Sequence, residues 1–394
     1  MVTGACETCH TNYVGCAYLL LKETPYMRIC LSWVGALGVL IATSGLAAAD
    51  NVDCSTLPDP IIVAGSTAVQ PLVQLLGKAL AGTTTIIYQA QGSCIGVNAI
   101  VTTPQPPVTG TATYFDATGT ALTCNLPVAG SIVDVGLSDI FVDTCTGAPA
   151  PAGIGQFSGP VEAMVFVMPK AAQQQAITSD EAYFVFGFGA AGMAKPWTIE
   201  ANLAVRNSQS GTQGILASNI GVPAGRWKGQ NKGSSGGVRD AVIALAATAP
   251  DSAIGILGSD IYDAARDQLK SLAFQGAHQY AAFYADSTAT SFDKRNVRNG
   301  HYVNFGYLHL VAKVDASNVP STPASKRFVD WITGNTGATG TPAPTGFDIF
   351  TATIAAKLTP TCAMKVQRTS EGGLIKPFTP ATDCGAQFEA MVAH

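Results

Sequence analysis

The residues best suited to chemistry are Arg206-Asn207-Ser208-Gln209-Ser210-Gly211-Thr212. The apolar Leu203-Ala204-Val205 lead into them, and Gln213 to Ile220 continue as a helical stretch. Ser-Gly-Thr at a helix start offers free backbone N–H groups, two hydroxyl donors and the positive end of the helix dipole to an anion. Arg206 adds a charge that can make a bidentate contact. The same residues also read as an ordinary N-cap, so the stretch alone decides nothing. The device recurs, however. Gly65-Ser66-Thr67 follows the strand-like Ile61 to Ala64, and Gly92-Ser93 follows the β-branched Thr84 to Tyr88. Both turns stand between a strand and a helix, where α/β proteins bind ligands, and three such turns can converge on one oxyanion.

Competing motifs fail on context. Cys6-Glu7-Thr8-Cys9-His10 is a literal haem-attachment pattern, but it precedes an export signal. Gly187 to Gly192 spells G-x-G-x-x-G after a strand-like Tyr183 to Phe186. Lys195-Pro196-Trp197 arrives too soon for the helix a dinucleotide needs, so a Gly-rich turn is the better account. No G-x-S-x-G elbow exists, and His278, His301, His309 and His394 stand in no catalytic motif. These readings predict a non-enzymatic protein that uses neither cofactor nor metal.

The elements that must position the turns alternate short apolar runs with helical stretches from Asp50 onward, the pattern of a wound α/β protein. Thr102 to Leu126, rich in Thr, Pro and Gly, reads as an insertion or loop. Val161 to Met168 is suited to a buried strand crossing between two lobes, and Val303 to Val311 to one crossing back. Only 12% of residues are charged and the net charge is −4, so no basic field exists to hold nucleic acid or acidic lipid.

Met27-Arg28, the apolar Ile29 to Ile41 and Leu46-Ala47-Ala48-Ala49 read as a signal peptide cleaved near Ala49, with Met27 as the start. The expected destination is the periplasm or the medium. Six cysteines follow that point: Cys54, Cys94, Cys124, Cys145, Cys362 and Cys384. An even set in an exported chain predicts up to three disulfides, with pairing by proximity the expectation among the open connectivities. None of the six stands at metal-ligand spacing.

The ordered series of turns resembles the phosphate-binding receptor of the phosphate-specific ABC transporter, the PstS family of type II periplasmic substrate-binding proteins. Gly65-Ser66-Thr67 is similar to its first phosphate loop, Gly92-Ser93 with Gly96-Val97 to its second, and Gly136-Leu137-Ser138-Asp139 to its G-x-S-D segment. Arg206 with Ser210-Gly211-Thr212 matches its R-x-x-x-S-G-T motif. Trp227, Gly233 to Val238 and Ala253-Ile254-Gly255 resemble further landmarks, mostly structural.

The resemblance implies a two-lobed α/β fold with the ligand cleft between lobes joined by two hinge crossovers. Residues 50–160 and 310–394 would form lobe 1, and residues 161–309 lobe 2. It implies that Thr67, Ser93, Ser210 and Thr212 donate hydroxyl bonds to phosphate, that Ala68 and Gly211 donate N–H groups, and that Arg206 supplies charge. Asp139, acceptor-only as a carboxylate, would demand a proton on the ligand; on its own it also reads as a helix cap. The chain would be a monomer that passes inorganic phosphate to an ABC permease. Three positions depart from the pattern: Ala68 replaces an aromatic, Ile256 a Tyr, and Ser208 an Asp that would orient Arg206. The alternatives are a receptor for another oxyanion, a surface protein that uses the fold for adhesion or sensing, and a phosphoester hydrolase.

Overall fold

The computed structural model describes residues 52–392. The expected signal peptide and the Cys6–His10 motif lie outside the described residues. The strands are β1 (Val52–Asp53), β2 (Pro60–Gly65), β3 (Thr85–Ala90), β4 (Thr111–Phe115), β5 (Ala121–Asn125), β6 (Val135–Ser138), β7 (Ile154–Pro169), β8 (Ala176–Thr178), β9 (Leu203–Val205), β10 (Gln230–Asn231), β11 (Ile254–Gly258), β12 (Leu269–Ser271), β13 (Ala273–Gln275) and β14 (Phe305–Lys313). One sheet runs β1-β5-β4-β3-β2-β6-β14-β7-β11-β9-β10, with β12 also on β7.

In the first lobe β3, β2 and β6 are parallel, with Ile61 opposite Ile86 and Val63 opposite Val135. Successive side chains of a strand face opposite ways. Ile61 and Val63 meet Leu72, Val73, Leu76 and Leu80 of the helix Gln70–Leu80 and Phe328, Val329 and Ile332 of the helix Pro323–Thr333. On the other face Ala64 packs with Val97 and Ile100 of the helix Ser93–Val101. Because helices cover both faces, the strands read as continuous apolar runs rather than as alternation.

The second lobe packs Phe166 of β7 between Phe186 and Phe274, with Leu203, Ile215, Val238 and Ile254 in the same core. Trp227 stacks on Phe186 with ring centres 4.5 Å apart.

β7 belongs to both lobes. It pairs with β14 from Ile154 to Ala163, then with β11 from Met164 and with β12 from Val167. The strand begins seven residues before the apolar run that announced it, because Gly155, Gln156, Ser158 and Gly159 interrupt its first half. β14 brings the chain back, and Asn304 just before it accepts the Met164 N–H at 2.8 Å. Both crossings thus lie side by side, antiparallel.

Two expectations are corrected. Thr102 to Leu126 contains a hairpin, β4 with β5, which extends the sheet antiparallel from β3. The turn between its strands is set by Asp116, whose Oδ1 accepts the N–H groups of Thr118 at 2.8 Å and Thr120 at 2.9 Å. The Thr content that suggested a loop is β-branched strand sequence at a sheet edge. Tyr183 to Phe186 is helical, inside Ser179–Phe188, because Thr178 and Glu181 form a capping box. Its buried Ala182, Val185 and Phe186 recur at helical, not strand, spacing.

Three disulfides join Cys54 to Cys124, Cys94 to Cys145 and Cys362 to Cys384. Only the last links neighbours along the chain. The others interleave, because β1 lies beside β5 and the helix Ser93–Val101 packs on Val142–Thr146.

Candidate functional site

β2 ends at Gly65 with φ +141°, where a Cβ would sit 2.0 Å from the Leu137 carbonyl oxygen of β6. Only glycine permits so close an approach. It lets the Ser66 N–H donate to that carbonyl at 2.9 Å, which turns Ser66 toward the end of β6. There the Ser66 Oγ donates to Asp139 Oδ2 at 2.6 Å and accepts the Ala68 N–H at 3.0 Å. The Tyr88 hydroxyl donates to the Ser66 carbonyl. Ser93, the first residue of its helix, donates to Asp139 Oδ2 and accepts the Asp139 N–H, both at 3.1 Å. Asp139 Oδ1 is buried with no partner. Burial raises the Asp139 pKa, opposed by the Ser66 and Ser93 hydroxyls and the Arg206 charge. Asp139 is not a helix cap, since the next helix starts after Phe141 with no side-chain cap.

The second lobe supplies the opposite wall. Arg206 follows β9, and its N–H donates to the Gln213 Oε1 at 2.8 Å, which ties the loop to the helix Gly211–Ile220. Arg206 Nη1 donates to Thr67 Oγ1 at 3.2 Å and to Ser235 Oγ at 3.0 Å, and those hydroxyls lie 3.3 Å apart. Its Nε is buried without a partner. Burial lowers the Arg206 pKa, with the Asp139 and then the Asp260 charges acting against it. Among the described residues Arg206 forms no ion pair.

Ser210 Oγ accepts the Gln213 N–H at 3.4 Å as the helix N-cap, and Thr212 is buried beside it. A Cβ on Gly211 would lie 2.3 Å from Ser93 Oγ and 2.6 Å from Asp139 Oδ2. The lobes are in direct contact here, and the Cys94 N–H donates to the Gln209 carbonyl at 3.1 Å across the gap.

The half-buried Thr67 and the buried Ala68, Ser93, Asp139, Arg206, Ser210, Gly211 and Thr212 therefore stand in one cluster. Three helices begin in it, at Ser93, Gly211 and Ser235. Two of its hydroxyls escaped sequence reasoning. Ser66, not Thr67, holds Asp139, and the two neighbours differ only in which way the turn points them. Ser235 stands in Ser234-Ser235-Gly236-Gly237, a helix start of the same small-polar type as the other turns, and that was its available signal. Ser208 is exposed. Among the described residues no group of three or more His, Cys, Asp or Glu could hold a metal ion.

No protein-family model and no curated protein sequence matches the chain. Solved structures do. A phosphate ABC transporter substrate-binding protein with bound phosphate from Clostridium perfringens aligns over 77% of this chain and 100% of its own, at 14% identity and a TM-score of 0.50. The fold is that of the two-lobed periplasmic binding proteins. An ABC-type phosphate transport receptor from Vibrio cholerae aligns over 76% of this chain and 99% of its own, with 13% identity and a TM-score of 0.45. An OxyR mutant from Corynebacterium glutamicum covers 76% of this chain and 67% of its own, at 10% identity and a TM-score of 0.39.

Proposed function

We propose that the protein is an exported substrate-binding protein that captures inorganic phosphate between its lobes for delivery to an ABC permease. The observation that carries this reading is the meeting of Asp139, held by Ser66 and Ser93, with Arg206, held by Thr67 and Ser235, where three helices begin. One lobe brings a carboxyl, the other a cation, and the helix starts add N–H donors and positive dipole ends. Binding an oxyanion would take up the Arg206 donors and the hydroxyls now paired with one another.

Asp139 sets the ligand's protonation. Its Oδ2 already accepts two hydroxyls and its Oδ1 accepts none. An anion that still carries a proton can donate to Oδ1, while a fully ionised one meets bare negative charge. Phosphate carries such a proton near neutral pH and sulfate does not. Arg206 keeps its charge at any working pH and needs no partner at position 208, because Thr67 and Ser235 orient Nη1.

The lobes, residues 50–160 with 310–394 and residues 161–309, would part about the paired β7 and β14 to admit the ligand. Three disulfides suit an oxidising compartment and so support export, which the expected cleavage near Ala49 would complete. The chain acts as a monomer and performs no chemistry on its ligand.

Isothermal titration of the oxidised chain from Asp50 with phosphate, with sulfate as control, tests the reading. Tight phosphate binding that Arg206→Ala abolishes is expected. No heat with any oxyanion would overturn it and favour a surface protein that kept the fold for adhesion or sensing.

A further inference from the structure

Glu162 and Asp260 are buried carboxyl groups that take no part in the contacts described above. Glu162 lies on β7 opposite Gly306 of β14, two residues before β7 leaves that partner and takes up β11, with Met164 opposite Gly258. Asp260 follows β11 in the short helix Ser259–Asp263. The pair therefore sits where the crossing strand passes from one lobe to the other. Each residue is 3% exposed. None of the four carboxyl oxygens has a hydrogen-bond partner. Gly258 makes the room, since a Cβ there would lie 1.8 Å from Glu162 Oε1 and 2.7 Å from Asp260 Oδ1.

Two carboxylates this close in a dry site cannot both stay ionised, and one proton between them turns repulsion into a hydrogen bond. Lys294 at 2.7 Å and Arg266 at 2.5 Å pair with Asp263, and Arg206, after β9, feels the Asp260 charge. The nearby carboxylates oppose further ionisation of the pair, Asp139 from the end of β6 and, for Asp260, Asp263 from the same short helix. Burial, first of all, and then these neighbours raise both acids, with Asp260 brought to about 7. Arg206 feels the charges of Asp139 and then of Asp260. A Cβ on Gly306, opposite Glu162, would lie 2.4 Å from the Asp139 carbonyl oxygen, so an anion entering between Asp139 and Arg206 adds negative charge close to the pair.

We infer that Glu162 and Asp260 share one proton and that anion capture at the neighbouring site raises their proton occupancy, so that binding takes up protons from solvent. The proton passes from buffer to a carboxylate oxygen of the pair, and no bond other than O–H forms. This inference rests on the phosphate-binding reading. Glu162 and Asp260 act on the ligand through charge and not by contact, so they are positioning residues that set the charge of the site.

The test is calorimetric titration of the oxidised protein with phosphate in two buffers of different ionisation enthalpy, which counts protons taken up. The ionisation of free phosphate is common to every variant, so a difference between variants reports the pair together with the Asp139 it acts on. Wild type is expected to take up more protons near neutral pH than Glu162→Gln or Asp260→Asn. Its phosphate affinity should also fall more steeply above about pH 7, approaching tenfold per pH unit for each proton coupled to binding. Equal proton counts and equal pH slopes in wild type and both variants would overturn the coupling. Infrared spectroscopy at neutral pH reads the shared proton without ligand, as a protonated-carboxyl band that Glu162→Gln removes. A spectrum without that band overturns the inference even if phosphate binds. Failure of every variant and wild type to bind phosphate would instead sink the functional reading and the coupling with it, leaving the infrared band to decide the shared proton.

Discussion

Gly211→Ala separates closure from folding. The added Cβ would meet Ser93 Oγ at 2.3 Å and Asp139 Oδ2 at 2.6 Å, both in the facing lobe. Ordinary van der Waals contact begins about 1 Å further out, so the start of the helix Gly211–Ile220 must retreat by roughly that distance. The backbone itself does not object, since Gly211 is the first residue of a helix and Ala favours a helix over Gly by about 1 kcal/mol. Retreat would stretch the contacts that a ligand makes to both walls at once. Two charge-assisted hydrogen bonds weakened by about 1.5 kcal/mol each amount to about 3 kcal/mol, or roughly a hundredfold in affinity. The assay is phosphate titration calorimetry beside thermal unfolding without ligand. A midpoint equal to wild type or slightly higher, with affinity down about a hundredfold, is expected. A variant that binds phosphate within about threefold of wild type would refute the idea that the lobes close on Gly211.

Asp139→Asn gives its unpartnered oxygen position a donor or a neutral acceptor, so preference for phosphate over sulfate should relax; unchanged selectivity in competition calorimetry would remove that role. Replacing both Cys94 and Cys145 by Ala opens a loop spanning 51 residues, and the loss should approach 4 kcal/mol in a denaturant titration; an unchanged midpoint would contradict it. His309 is fully buried against Phe141, and burial, then the Arg368 charge, hold its pKa at about 3. Its folded value lies below the unfolded one, so the native state binds fewer protons. The stability tied to neutral His309 is therefore present above about pH 6.5 and lost as pH falls toward about 3. His309→Phe should flatten that part of the acid limb, and identical limbs in urea titrations across that range would refute the assignment.

Local chemistry was legible from the chain. A strand that ends in Gly-Ser-Thr, a helix that begins Ser-Gly-Thr and an arginine four residues before it are near-neighbour patterns, and backbone geometry turns them directly into helix starts with free N–H groups. The crossing strands were legible for a related reason, because a strand buried on both faces must be apolar throughout. Where local signals compete, the chain misleads. Tyr183 to Phe186 has strand composition but obeys the Thr178–Glu181 cap, and Thr111 to Asn125 has loop composition but finds an edge to pair with.

The rest depends on contacts far apart in sequence. That Ser66 and not Thr67 holds Asp139 follows from how the Gly65 turn packs on Leu137, 72 residues away. That Ser235 reaches Arg206, that Cys54 finds Cys124 past Cys94, and that Glu162 meets Asp260 at the crossing follow likewise from the order of strands in the sheet. Residue types along the chain determined which groups could bind an anion. Only the tertiary structure decided which of them face one another, because burial and hydrogen-bond geometry are properties of the packed sheet and not of its separate segments.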